Sequence, residues 1–348
     1  MPSQFALTAA FACRQSDEFA CRQSDEFACR QSDEFACRQS DESIIHVAGT
    51  HVLHRHPFTP FDEAPPIEAA SFVAMPIPEQ ILPQVIGENF RHRLGTFPVE
   101  ISNWLLRDAE TDLTINLKKK LLSTRRDEVV GLRPGGQDVA QEAAQMISQW
   151  SGVDISSTGI DALVDASLLV ADDLAVLQPV KSTDGAEQLL LTAAVVCCPS
   201  RWMLSEKMGH DMLAIHTPVA KYAEQVGAAV DTYFQRITAE KTVWRSNWII
   251  QDHPALFQPR IPSAPLAKSP GELWIRMERQ TLRRLPKTGG ILFTIRGYQQ
   301  PLSEYLSRSQ EIAKNIRTML ERLPDDVAQY KSVLIYKPKI LAWINQFC

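Results

Sequence analysis

The stretch VVCCPSRWMLSEKMGHDMLAIHTPVAKY, Val195 to Tyr222, sets adjacent cysteines and two histidines among basic residues on a largely apolar background. These groups do not combine into a familiar metal site. Cys197 and Cys198 are neighbours, which rarely bridge, and the chain has no CxxC pair for zinc or redox chemistry. His210 and His216 are separated by about 240° around a helix, so they would not chelate from one face. Each must act alone.

His216 differs from His210 in its setting. It precedes Thr217 and Pro218, an N-cap residue and a first-turn proline, so its backbone is held on both sides. His210 lies between Gly209 and Asp211, a polar turn. One firmly held imidazole suits the axial position of a haem iron, since the porphyrin supplies the remaining nitrogens. A structural histidine near a helix N-terminus fits the same residues. Arg201, Arg245, Arg276 and Arg279 could pair with haem propionates as planar donors, or could lie on solvated strand faces. Asp172 and Asp173 are adjacent, so in a strand they face opposite ways and cannot form a carboxylate dyad.

The elements that position these residues can be traced along the chain. Ile101 to Leu122 reads as a short element followed by an amphipathic helix, and a helix from about Asp161 leads into a strand ending near Val180. Leu189 to Cys198 is a buried strand. A helix is expected to open at Thr217–Pro218, with Ala223, Val226, Val230, Tyr233, Phe234 and Ile237 at helical spacing. TVWRSNWIIQD is a strand, and two alternating runs about PKTGG predict a β-hairpin. SEYLSRSQEIAKNIRTMLERL predicts one long amphipathic helix, and KPKILAWINQF a short closing one. Irregular alternation with an antiparallel hairpin favours the α+β class over a doubly wound sheet.

Upstream, residues 1–43 hold FACRQSDE repeated four times, from Phe11 to Glu42. Each copy turns about 80° from the last on a helix, so no constant apolar face forms and the segment is expected to be disordered. Its Cys13, Cys21, Cys29 and Cys37 could gather a metal but lack a rigid frame. Residues 44–348 form the folded domain. Near its start come His46, His51, His54 and His56, of which the last three could ligate a metal, yet the segment shows neither helical nor strand period and reads as a loop.

Bulk properties exclude several functions. The chain has 348 residues and a net charge of −5, which leaves no basic footprint for nucleic acid or an anionic membrane. No apolar run approaches the roughly 20 residues of a membrane span. The N-terminus makes a poor secretory signal, so a cytoplasmic location is expected. Phosphate-loop, GxGxxG, HExxH and GxSxG signatures are all missing.

The segments CPSRWMLSEKMGHDMLAIHTPVAKY, WRSNWIIQD and MERQTLRRLPKTGGILFTIRGYQQPL resemble the haem-dependent oxidative N-demethylase α-subunit family. HRHPF near His56 and LVADDLAVLQP near Asp173 are similar to weaker earlier blocks, where the family usually has Glu-Asp in place of Asp172–Asp173. The resemblance implies a PAS-like α+β domain, a haem b on one histidine, and dioxygen-dependent oxidation of a small secondary amine to release formaldehyde. Which histidine would hold that iron is read from local geometry, His216 first and His210 second, and Asp173 is the candidate for an acid–base residue near the distal face. A separate reductase is implied, because neither a dinucleotide fingerprint nor an iron–sulfur spacing is present. A PAS-like sensor without turnover, or a scaffold that has lost its cofactor, fits the same residues.

Deletion of Phe11 to Glu42 should leave the melting temperature unchanged, because a charged repeat without a face adds no core. A fall of several degrees by differential scanning calorimetry would show that the repeat packs.

Overall fold

The computed structural model describes residues 95–348, apart from 182–184, 186, 218, 220–221 and 263, together with the backbone of two short strands before residue 95. The octapeptide repeat and His56 lie outside the described residues. The chain divides into two compact units, Met1–Asp62 and Glu63–Cys348. In the first, β1 (Ile44–Val47) pairs antiparallel with β2 (His51–His54), with Ile44 opposite His54. His46, His51 and His54 therefore lie on strands where a loop was expected. Ile44, Ile45, Val47 and Val52 supply the β-branched propensity.

The second unit contains a seven-stranded sheet. Its strands are β3 (Phe97–Pro98), β4 (Val130–Leu132), β5 (Asp173–Lys181), β6 (Glu187–Val195), β7 (Thr242–Gln251), β8 (Trp274–Arg284) and β9 (Ile291–Pro301). They lie in the order β3-β7-β8-β9-β5-β6-β4, and every pairing is antiparallel. Helices flank this sheet, so the α+β class holds. No helix among the described residues is long and apolar enough to cross a membrane.

The β8–β9 hairpin forms about PKTGG as its turn chemistry predicts. Gly289 has φ +72°, a conformation that favours glycine, and a Cβ on Gly290 would meet the Leu177 carbonyl at 2.9 Å. Glu142, on the helix Gly136–Ser151, accepts the backbone N–H groups of Lys287 and Thr288 at 2.7 Å each, which pins the turn.

Alternation along the strands divides the sheet into two faces. On one, Leu174, Val176 and Leu292 pack with Ala140, Ala143, Ile147, Leu163 and Ala166 from the helices Gly136–Ser151 and Gly159–Ser167. Trp248, Ile275, Met277 and Tyr298 continue that face against Leu306, Ile316 and Leu320. On the other face, Ala175, Leu177, Leu282, Ile291 and Val243 pack with Tyr222, Val230, Phe234 and Ile237.

Two helical expectations need correction. The helix predicted to open at Thr217–Pro218 does not begin there. Asp211 caps a short helix, Met212–Ile215, by accepting the Ala214 N–H at 2.8 Å, and His216 closes its C-terminus. Helical structure resumes at Ala223–Gly227 and runs into Ala228–Arg236. The Asp211 carboxylate was the stronger local cap. The long helix after the hairpin is two helices, Leu302–Ser307 and Gln310–Arg322, because Ser309 accepts the Ile312 N–H at 3.1 Å and starts the second.

A buried lysine joins the first long helix to β5. Lys118, on Thr111–Thr124, is fully buried and donates to the carbonyls of Ser167 (3.0 Å), Val170 (3.1 Å) and Asp172. Lys118→Met would leave those acceptors unmatched, and each buried unmatched group costs about 1–3 kcal/mol. Urea denaturation should show a loss of at least about 3 kcal/mol. A loss below about 1 kcal/mol would mean that water replaces the ammonium.

Candidate functional site

The second face of the sheet is incompletely covered. Its hairpin end is sealed by the cluster around Phe234, and its far end by loops that engage Arg276 and Gln299. Between them Phe293 and Ile295, on the central strand β9, are only half-buried, as are Gln280 on β8 and Arg245, Asn247 and Ile249 on β7. Central-strand apolar side chains bury completely when a layer packs over them, so their partial exposure marks a stretch of this face left partly open, the cradle.

Register places polar groups in this cradle. Arg245 faces Gln280, and Asn247 faces Glu278. Glu278 is buried, and its Oε2 accepts from Gln280 Nε2 at 2.9 Å and from Asn247 Nδ2 at 3.4 Å. Asn247 Oδ1 in turn accepts from Lys331 Nζ at 3.2 Å. That ammonium also donates to the Trp248 carbonyl at 2.8 Å and sits 4.4 Å from the Trp248 ring centroid.

His216 borders the same face. Its Nδ1 lies 2.8 Å from the Met212 carbonyl, and its ring stacks on Tyr222 with centroids 4.4 Å apart and an 8° angle. Burial pushes the Tyr222 phenol up to about 12, while the nearby Arg245 charge pulls the other way. His216 and Tyr222 are therefore in ring contact, and the Arg245 charge lies near enough to act on the Tyr222 phenol. His210 is exposed, and its carbonyl accepts the Leu191 N–H at 3.0 Å along the outer edge of β6.

The four arginines singled out in the sequence separate clearly. Arg201, at φ 65°, pairs with Asp252 and donates to Gln258 Oε1 at 3.2 Å. Arg276 is fully buried and donates to the carbonyls of Leu256 and Cys198. Arg279 donates to the carbonyls of Trp104 and Asn103 at 2.8 and 2.7 Å. All three bind internal acceptors. Arg245 alone of the four forms no hydrogen bond to another described residue, and its Nε is buried.

Asp172 and Asp173 part as their adjacency predicts. Asp172 accepts from Thr294 at 3.1 Å on the helix-covered face. Asp173 accepts the Cys197 and Cys198 N–H groups at 2.9 and 2.8 Å. Burial pushes both carboxyls above their ordinary range, against the Arg296 charge at Asp172 and the Lys118 charge at Asp173. Burial also raises the two thiols, Cys198 to about 12, which disfavours the thiolate a metal would need. Among the described residues no group of three His, Cys, Asp or Glu side chains could hold a metal. The chemistry of the opening stretch thus reduces to one oriented histidine.

Glu278, Gln280, Asn247 and Lys331 did not stand out in the sequence. The MERQ run shows Glu278 and Gln280 on one side of a strand, but their alignment with Arg245 and Asn247 needs the β7–β8 register. Lys331 comes from the turn after the helix Asp325–Tyr330 and meets β7 only through tertiary packing.

Lys331 yields a pH prediction. Burial lowers its pKa to about 8, against the Glu278 carboxylate. The unfolded chain keeps that proton up to about pH 10.4, so stability should rise with pH between about 8 and 10. The melting-temperature advantage of wild type over Lys331→Met should grow across that window. A constant difference would show that Lys331 titrates normally.

The family model described as haem-dependent oxidative N-demethylase, alpha subunit-like, matches residues 149–341. This span includes β5 to β9, the His216 turn and Lys331, and covers more than half of the chain. The chain therefore belongs to the haem-dependent oxidative N-demethylase, alpha subunit-like family.

Proposed function

We propose that the cradle binds haem b, with His216 as the protein's ligand to iron, and that the chain catalyses dioxygen-dependent oxidative N-demethylation of a small secondary amine. The observation that carries this reading is the contact between His216 Nδ1 and the Met212 carbonyl. A neutral imidazole that donates through Nδ1–H carries its lone pair on Nε2, the form in which histidine ligates a metal, and the carbonyl fixes the tautomer and direction of the ring. Stacking on Tyr222 restrains the ring plane.

The residues present fit the group. The half-buried Phe293, Ile295 and Ile249 offer apolar surface to a porphyrin, and the site has a single oriented imidazole rather than a multidentate cage. An antiparallel sheet holding a ligand on one face also suits the PAS-like character of this reading. Bound haem would supply the redox-active iron at which dioxygen is activated.

The chain's own residues supply the surroundings. Phe293 and Ile295 exclude water from the N-methyl group, and Glu278 adds a buried carboxylate held by Gln280 and Asn247. Asp173, the acid–base candidate from the sequence, would have to act while both its oxygens hold backbone N–H groups. Its contribution in this reading is to fix the turn at Cys197–Cys198. Oxidation of the amine gives an iminium, and water hydrolyses it to the shorter amine and formaldehyde. Electrons come from a separate reductase, a division of labour that the family description as an alpha subunit supports. A cytoplasmic setting, where buried Cys197 and Cys198 stay reduced, belongs to the same reading.

Protein reconstituted with hemin should show a Soret band and a b-type pyridine haemochrome spectrum. His216→Ala should abolish tight binding or leave a site restored by added imidazole, while His210→Ala should keep the parent spectrum. The reverse pattern would move the ligand to His210. A titration without any Soret shift in wild type would withdraw the haem reading.

A further inference from the structure

We infer that Arg245 anchors a carboxylate of the ligand that occupies the cradle. The inference begins with charge. Arg245 lies on this face and Lys331 reaches its β7 edge through Asn247, and among the described residues Glu278 is the carboxylate whose electrostatic influence reaches both. The Glu278 oxygen described above accepts from neutral amides, not from the guanidinium. The cluster therefore carries excess positive charge in partly desolvated surroundings, which favours an anionic partner.

Hydrogen bonding leads to the same place. A guanidinium presents a planar fork of N–H donors, and buried donors are nearly always matched. Arg201, Arg276 and Arg279 place guanidinium nitrogens on side-chain or backbone acceptors, although the Nε of Arg276 is left over. Arg245 forms no hydrogen bond to another described residue, its Nε is buried, and burial holds the guanidinium below its ordinary pKa. A planar carboxylate matches the fork in both charge and shape. Its source is either a porphyrin propionate, which rests on the haem reading, or a free small carboxylate, which does not.

The experiment separates these sources. Hemin, hemin dimethyl ester and sodium propionate would each be titrated into the full chain, the porphyrins followed by absorbance and propionate by calorimetry. The variants are Arg245→Gln, Arg245→Lys and, as an exposed control, Arg236→Gln. Wild type and Arg236→Gln should bind hemin at least about tenfold more tightly than its ester, a difference of about 1.4 kcal/mol. Arg245→Gln should bind both porphyrins alike, and Arg245→Lys should keep a weakened preference. If neither porphyrin gives a Soret shift but propionate binds wild type and not Arg245→Gln, the carboxylate site stands and the haem reading falls. An undiminished preference for the free acid in Arg245→Gln would overturn the inference. So would a wild type that neither distinguishes the ester nor binds propionate.

Discussion

In β7, β8 and β9 successive side chains point to opposite faces, and an unbroken register across all three strands turns this local rule into two continuous surfaces. One surface is apolar enough to hold the helices that follow β9 and those that precede β5. The other alternates apolar and polar positions, and the segment from Ser200 to Glu240 seals only part of it. A slip of one residue would send Arg245, Asn247 and Glu278 into the helix-packed core and turn Trp248 and Met277 outward. The cradle and the hydrophobic core are thus two consequences of one register.

Charged side chains reinforce this arrangement from within. Lys118, Arg276 and Arg279 are buried cations whose hydrogen bonds end on backbone carbonyls of loops and junctions. Each matches acceptors that no strand or helix could reach, which is why long donor side chains are tolerated inside the protein. Asp173 does the converse by accepting two backbone N–H groups where the chain leaves β6. These contacts hold the ends of the sheet strands and leave its middle available. Arg245 has the same chemistry but forms no hydrogen bond to another described residue.

His216 shows how local and distant constraints meet. Asp211 starts a single helical turn, which places the Met212 carbonyl beside the His216 ring. Tyr222, returning at the next helical segment, supplies the stacking surface. The imidazole is therefore held by a hydrogen bond set within one turn and by a ring that only the fold of the covering segment delivers.

The α+β class, the PKTGG hairpin, the β5 and β6 strands and the separation of Asp172 from Asp173 were all legible in the sequence. Periodicity, turn glycines and adjacency are local properties that the chain carries wherever it folds. The helix expected at Thr217 was misplaced, because the Asp211 carboxylate caps Met212–Ile215 first. Local pattern could not tell Arg245 from Arg201, Arg276 and Arg279. All four are guanidiniums near strands or turns, and only the pairing of distant segments decides which of them meets a carbonyl, a carboxylate or an open face. The same holds for Glu278 and Lys331, separated by most of the C-terminal helices and brought together across the edge of β7. Sequence determined which elements form and which side chains share a strand face; tertiary structure determined which polar groups were satisfied, because that depends on acceptors contributed from elsewhere in the chain.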